Sequence, residues 1–467
     1  MYKLIMGFKY RPLFKSDLRE LLANVMQVKK YVASLDHHDT YKEQLELIEN
    51  NLSSYSFKSL KYLASERKKL LSIERELLHQ VYLCNGKKPN VSPVVNFTII
   101  GSGAYFSRKI DLTSKNKVNT YVTIKNIGNV PVRPKLIVNE KDWTTLESIS
   151  YSILQEDMIP HQKALAIWKF VRDARYHFSK PLSSSDSISP IALFNQWGYS
   201  NCGETSRAVI ALAKIAGFEA REVRLRGHIV AEVFFDEKWH MLDADGEVLF
   251  YDKKGALLSV ENIQQNLFLL KKTRSPIYSI EYLTRAYSSK GVIFNPKINL
   301  VPLSYTLRPG ESIKYQQDNG GYFFSGADCN IPPLFSNGTF TYVTKVKSWE
   351  IITFSYPYPI VGAKYSGKIT PVYFSTNGWK WQKLVGTDFS NLFNNGFGKP
   401  DYKYYLKCNV NGEISISTIV QMATKSLPLL ELGKLNAIKC IDLLGQQNAK
   451  IELTFGLAEM SASYEIK

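Results

Sequence analysis

The first sustained periodicity runs from about Lys15 to Leu83. Apolar residues recur at intervals of three and four through "DLRELLANVMQVKKYVASL" and again through "FKSLKYLASERKKLLSIERELLHQVYL", with charges between them. That is the pattern of amphipathic helices. "NNLSSYS" separates the two runs, so residues 1–88 are expected to form a helical hairpin or short coiled coil, serving packing or oligomer contacts. His37, His38 and His79 read as exposed or helix-face residues within it. After "NGKKPNVSP" the period shortens to two in "VVNFTIIGSG" and "NTYVTIKNIGNVPVRPKLIVN", punctuated by Gly and Pro. Residues 89–145 are therefore expected as a small β-sandwich-like domain.

Helical spacing returns in "HQKALAIWKFVRDARYHF", where Ala164, Ile167, Trp168 and Val171 form one stripe. A polar loop, "SKPLSSSDSISP", leads to a second helix in "ETSRAVIALAKIAGF", with Gly217 as its stop. The alternating "HIVAEVFF" and "KWHMLDAD" read as two strands of a hairpin. Residues 146–290 are thus expected as an α+β core. Beyond it, "RPGES", "DNGG", "SNGT", "STNGW" and "NVNGE" punctuate alternating strands, which predicts a jelly-roll-like β-sandwich over 291–467. The fold class is multidomain α+β.

Composition changes this picture little. A chain of 467 residues is too long for one ordinary core, and its 28 Tyr and 24 Phe lean toward strands. The formal charge of +17 suggests an acidic partner such as nucleic acid, an anionic polysaccharide met through the basic surface, or a membrane surface. The basic residues are spread without long runs, so a solvated basic surface is the plainer account, and no specific nucleic acid is expected. "MYKLIMGFKYRPLF" is interrupted by Lys9 and Arg11 and lacks the apolar region of a signal peptide. With no run of about eighteen apolar residues, no membrane span is expected, and the cytoplasm is the default location.

Cys84, Cys202, Cys329, Cys408 and Cys440 are odd in number and widely separated. No CxxC or Cys/His cluster has zinc-ligand spacing, so neither a metal nor a cofactor is expected, and a disulfide framework is not expected either. Cys202 stands out because "SNCGE" places it where a loop becomes a helix. Ser200 or Asn201 is a candidate cap, and Glu204 has capping-box spacing from Asn201. At the positive end of the helix dipole a thiolate is favoured. The competing reading is a small packed thiol.

A nucleophilic thiol needs a base, and the base an orienting group. A two-residue turn near Phe235 to Glu237 would put His228 and Asp243 on one face of the hairpin, opposite or diagonal, and would exclude His240. A bulge or a longer turn would reverse that parity. Asp243 and Asp245 also read as ordinary turn residues.

Residues from about Pro160 to Phe250 resemble the transglutaminase-like superfamily, a papain-like cysteine fold. The features that carry the likeness are "ALAIWKFVRDARYHF", "NCGETSRAVIALAKIAGFEAREVRLRGH" and "HIVAEVFFDEKWHMLDAD". Gly217, Arg221, Val223, His228, Glu232, Val233, Trp239 and Asp243 stand at matching positions, while Val230 departs where many members have Trp. The resemblance implies a triad of Cys202 nucleophile, His228 base and Asp243 orienter. Gln196 and Trp197 are candidates for the oxyanion pocket, beside the backbone N–H of Cys202.

The expected function is attack on an amide carbonyl through a thioester. The substrate would be a protein, a peptide or a glycan-linked amide, and hydrolysis is favoured over crosslinking. The alternative is a carbohydrate-associated binding or assembly protein that uses the domain as a scaffold. "YTLRPGESI", "SYPYPIVGA" and "STNGWKWQK" loosely resemble polysaccharide-associated β-sandwich domains, in which Trp379 and Trp381 would form a sugar platform or belong to the core.

Overall fold

The structure, a computed structural model, describes residues 43, 45–50, 92–100, 105–112, 117–177, 189–273, 275–298, 300–316, 335–368, 371–393, 400–431 and 434–459. The expected helical hairpin, its three histidines and its oligomer contacts lie outside these residues, except for residue 43 and the stretch 45–50. These are helical, with Leu45 and Ile48 buried.

The chain opens with strands β1 (Ser92–Ile100), β2 (Tyr105–Asp111), β3 (Lys117–Asn126) and β4 (Pro134–Val138). A mixed segment follows: α1 (Leu146–Ile153), α2 (Pro160–Ala174), β5 (Tyr176–His177), β6 (Tyr199–Ser200) and α3 (Cys202–Ile215). It continues with β7 (Glu219–Leu225), β8 (His228–Phe235), β9 (Lys238–Leu242), α4 (Val260–Gln265), α5 (Ile280–Tyr287) and β10 (Val292–Phe294). The chain then returns to strands with β11 (Glu311–Gln316), β12 (Phe335–Val346), β13 (Ile351–Ser366), β14 (Val372–Ser375) and β15 (Gln382–Lys383). The last are β16 (Asp401–Cys408), β17 (Gly412–Ala423), β18 (Leu435–Asp442) and β19 (Lys450–Glu459).

Strands from both ends of the chain share one antiparallel sheet of ten, ordered β1-β19-β3-β11-β12-β17-β13-β16-β14-β15. β18 lies between β2 and β4 in a second sheet of three. Val138, Ile438 and Cys440 of the small sheet enter the same buried cluster as Ile124, Leu453 and Phe455 of the large one. The expectation of a separate β domain at residues 89–145 is therefore corrected. The apolar alternation of β3 is satisfied by strands from the far end of the chain, with Ile124 opposite Leu453 and Val122 opposite Phe455. Local periodicity reveals a strand but not its partner, and the α+β segment is an insertion into one β domain.

Within the insertion, an antiparallel sheet ordered β10-β7-β8-β9 is covered on both faces. Ala231, Val233 and Phe235 pack with the helices α1, α2 and α3, among them Ile149, Ile167 and Leu212. Val223, Val230 and Met241 pack on the other side against Val260, Ile263 and Leu283 of α4 and α5. Burial of apolar side chains on both faces fixes the strand register, and a one-residue slip would turn every side chain to the wrong side. Among the described residues, no helix is long and apolar enough to cross a membrane.

Candidate active site

α3 starts at Cys202. Asn201 is its N-cap, with extended backbone and a side chain that accepts from the N–H of Gly203. Ala208, Val209, Ile210, Ala211, Leu212 and Ala213 are all buried, so the helix is held on several sides, and it stops at Gly217 with φ of 87°. Rigid packing of this kind fixes the first turn and leaves the Cys202 thiol partly exposed at its start.

The hairpin that brings in the imidazole is closed by Asp236 and Glu237, with φ of 48° and 60°. A two-residue turn with both residues left-handed matches the twist of its strands. It pairs Phe235 with Lys238 and Glu232 with Met241. In that register His228 and Asp243 share a face, diagonal to one another, and Nε2 of His228 meets Oδ2 of Asp243 at 2.8 Å. His240 falls on the opposite face, stacked on Phe235 at 3.9 Å and bonded through Nδ1 to the Leu257 carbonyl.

Asp243 is itself held. Its Oδ1 accepts from the N–H of Gly246 at 2.7 Å, and Tyr287 donates its hydroxyl to Oδ2 at 3.1 Å. Nδ1 of His228 is buried without a hydrogen-bond partner. Cys202 Sγ, a ring nitrogen of His228 and a carboxylate oxygen of Asp245 lie within 4.8 Å of one another. With Nε2 given to Asp243, Nδ1 is the nitrogen left for the thiol. Burial opposes a charge on His228, but the Asp243 carboxylate and then Cys202 outweigh it and push the pKa up to about 10.

The second carboxylate was not anticipated. Asp245 is 1% exposed, and Arg175 Nη1 stands 3.0 Å from its Oδ1. His177 Nδ1 lies 2.9 Å from Oδ1, and Tyr278 donates to Oδ2 at 2.5 Å. Burial works to raise the pKa of Asp245, yet Arg175, His177 and Tyr278 bring it down to about 2. Arg175 is fixed in turn by donating Nη2 to the Ala244 carbonyl at 2.7 Å. A bare carboxylate so close to Sγ would repel a thiolate, and the guanidinium cancels that repulsion. The three donor atoms are near enough to share a cation, but a cation would have to displace Arg175 and Tyr278 from Asp245. Asp245 sits in the turn that follows β9, where strand alternation no longer applies, so no spacing rule pointed to it.

Aromatic rings wall the imidazole. Tyr278 and Tyr282 stack on each other at 4.5 Å, and their centroids lie 5.1 and 6.2 Å from that of His228. Ser279 caps α5, with Tyr278 just before the cap and Tyr282 in the first turn. Tyr282 is anchored through its hydroxyl to the Gly227 carbonyl.

The two expected pocket residues lie in a π-helical turn, Leu193–Trp197. Gln196 turns toward the large sheet: Nε2 donates to the Pro357 carbonyl at 2.6 Å, Oε1 accepts from Tyr402, and its carbonyl accepts from Gln421. Its amide therefore ties the insertion to the β domain. Trp197 is buried, with its ring edge-on to Tyr199 at 5.9 Å.

Other motif positions are structural. Glu232, 1% exposed, pairs with Arg221 at 2.7 Å and accepts from the first N–H of α4, that of Val260. Arg221 stacks over Trp239 at 3.8 Å. Val230, where the pattern departs, is fully buried in the apolar cluster behind His228.

No curated protein and no solved structure matches this chain. A family does match the segment that holds the thiol, the imidazole and both walls of the hairpin: residues 147–244 fit the transglutaminase-like superfamily.

Proposed function

We propose that this chain is a thiol enzyme acting on an amide, with Cys202 as nucleophile, His228 as base and acid, and Asp243 as orienter. The observation that supports it best is the pair of roles open to one ring. Nε2 of His228 is bound to Asp243, Nδ1 makes no other hydrogen bond, and a ring nitrogen lies within 4.8 Å of Sγ. With the His228 ring holding the proton, as its raised pKa implies, Cys202 attacks the carbonyl carbon as the thiolate. The tetrahedral oxyanion is met by the N–H of Cys202, one of the helix-start donors that has no intrahelical acceptor. Nδ1–H then protonates the leaving amine, and the C–N bond breaks to leave a thioester. Water, deprotonated by Nδ1, attacks the thioester, giving a carboxylic acid and the free thiol. Water is taken as the acceptor because hydrolysis needs no second binding subsite.

The test is intact-mass analysis of the chain mixed with p-nitrophenyl acetate, followed by peptide mapping. An acetyl group on Cys202, absent in Cys202→Ala and strongly reduced in His228→Ala, is expected. Equal acetylation of Cys202 in His228→Ala would overturn the assignment. One observation favours a second reading, a non-catalytic scaffold: His228 is 1% exposed behind the tyrosine rings. That reading predicts no adduct at all.

A further inference from the structure

The outward face of the large sheet carries chemistry that the cysteine site does not use. Along β16 burial alternates: Tyr404, Leu406 and Cys408 are buried, while Lys403, Tyr405 and Lys407 face outward. The register sets Tyr373 of β14 directly opposite Lys407, so their side chains share that face. The turn between β12 and β13 adds Trp349, whose ring stacks on Tyr373 at 5.8 Å. Trp381, from the loop after β14, completes the group. The Lys407 ammonium lies 4.1 Å from the Trp381 ring, 5.5 Å from Trp349 and 5.9 Å from Tyr373.

Trp349 is the telling member. Its φ is 66°, in the left-handed region where glycine is at ease and a bulky side chain is strained, and it is 57% exposed. Neither the turn nor the core gains from an indole there. Backbone strain at an exposed aromatic is the kind of cost that surrounding structure sustains at ligand-binding positions.

We propose that this face binds an anionic polysaccharide, with sugar rings lying flat on Trp349, Tyr373 and Trp381 and their carboxylates meeting Lys407 and Lys403. Charge complementarity supports the sign of the partner, since the chain carries +17 and this face presents lysines. The identity of the cation supports its class. The sequence has no arginine after Arg308, so the β13–β16 region lacks the planar fork that suits phosphate, and its point-like ammonium groups suit carboxylates spaced along a hydroxylated chain.

The full chain is titrated with oligogalacturonate at physiological ionic strength, with uncharged dextran and oligothymidylate as comparisons. Oligogalacturonate is expected to bind, and Trp349→Gly and Lys407→Gln are each expected to weaken it roughly tenfold. Trp349→Gly should melt at the same or a higher temperature, because glycine accepts that φ without strain. Cys202 alkylation should be unchanged in both variants, which separates this site from the thiol. Lys407→Gln carries the test if Trp349→Gly does not fold. Absence of oligogalacturonate binding, binding unchanged by both variants, or Trp349-dependent binding of oligothymidylate in its place would overturn the proposal.

Discussion

His228 and Asp243 stand fifteen residues apart in sequence and 2.8 Å apart in space, joined Nε2 to Oδ2. The bond exists because a two-residue turn at Asp236 and Glu237 places both side chains on one face of the hairpin. Asp243→Asn keeps the shape and removes the charge. Its expected effect is a fall of roughly 10³–10⁴-fold in thiol-dependent turnover, with the fold intact, measured as acyl release against a melting curve.

Gly246 guards the same carboxylate. A Cβ at this position would meet Asp243 Oδ2 at 2.7 Å, closer than real Cβ contacts come. Gly246→Ala should therefore displace Asp243 and slow reaction at Cys202, while Gly217→Ala, with nothing near its added carbon but strained by its φ of 87°, should lower stability and leave the reaction rate of the folded chain unchanged. Parallel alkylation rates of the two variants check this.

Arg175 and Asp245 form a buried ion pair, each side chain 1% exposed. Arg175→Leu leaves the carboxylate uncompensated and is expected to cost about 3–5 kcal/mol of stability in a urea titration. Adding Asp245→Asn should recover much of that loss, since no charge is then stranded. Recovery of stability without recovery of turnover would show that the pair also positions the thiol site.

The two carboxylates illustrate what the sequence made legible. Parity predicted the His228–Asp243 face and the exclusion of His240, because alternation along strands and a short turn are local rules. The apolar faces of α2 and α3 were equally local, and Ala164, Ile167 and Val171 are fully buried, as their spacing implied. The Arg175–Asp245–Tyr278 network joins three separate elements, so no spacing rule reaches it. The same holds for β3 lying between β19 and β11, and for Gln196, whose amide serves the contact with the large sheet. Long-range pairing depends on which surfaces meet, and periodicity within a segment carries none of that.

Titration offers a further check. The pKa of His228 is raised from 6.5 to about 10 in the folded chain, so its contribution to stability is complete below 6.5 and is lost as pH rises through about 10. Asp245 is shifted the other way, from 3.8 to about 2. Its contribution is complete above 3.8 and is lost as pH falls through about 2. Cys202→Ala removes one of the influences that raise His228, so the imidazole should titrate at lower pH in that variant. The His228 ring resonances followed by NMR across alkaline pH read this directly.

The most direct test of the account is the rate of Cys202 carboxamidomethylation by iodoacetamide as a function of pH, in the native chain and in His228→Ala. Two other described cysteines are a built-in contrast: Cys408 and Cys440 are buried, and burial raises both thiols, Cys440 to about 12. The account predicts rapid, selective labelling of Cys202 at neutral pH and a large loss of that rate in His228→Ala. Labelling of Cys202 that is slow at neutral pH, or unchanged by His228→Ala, would contradict it.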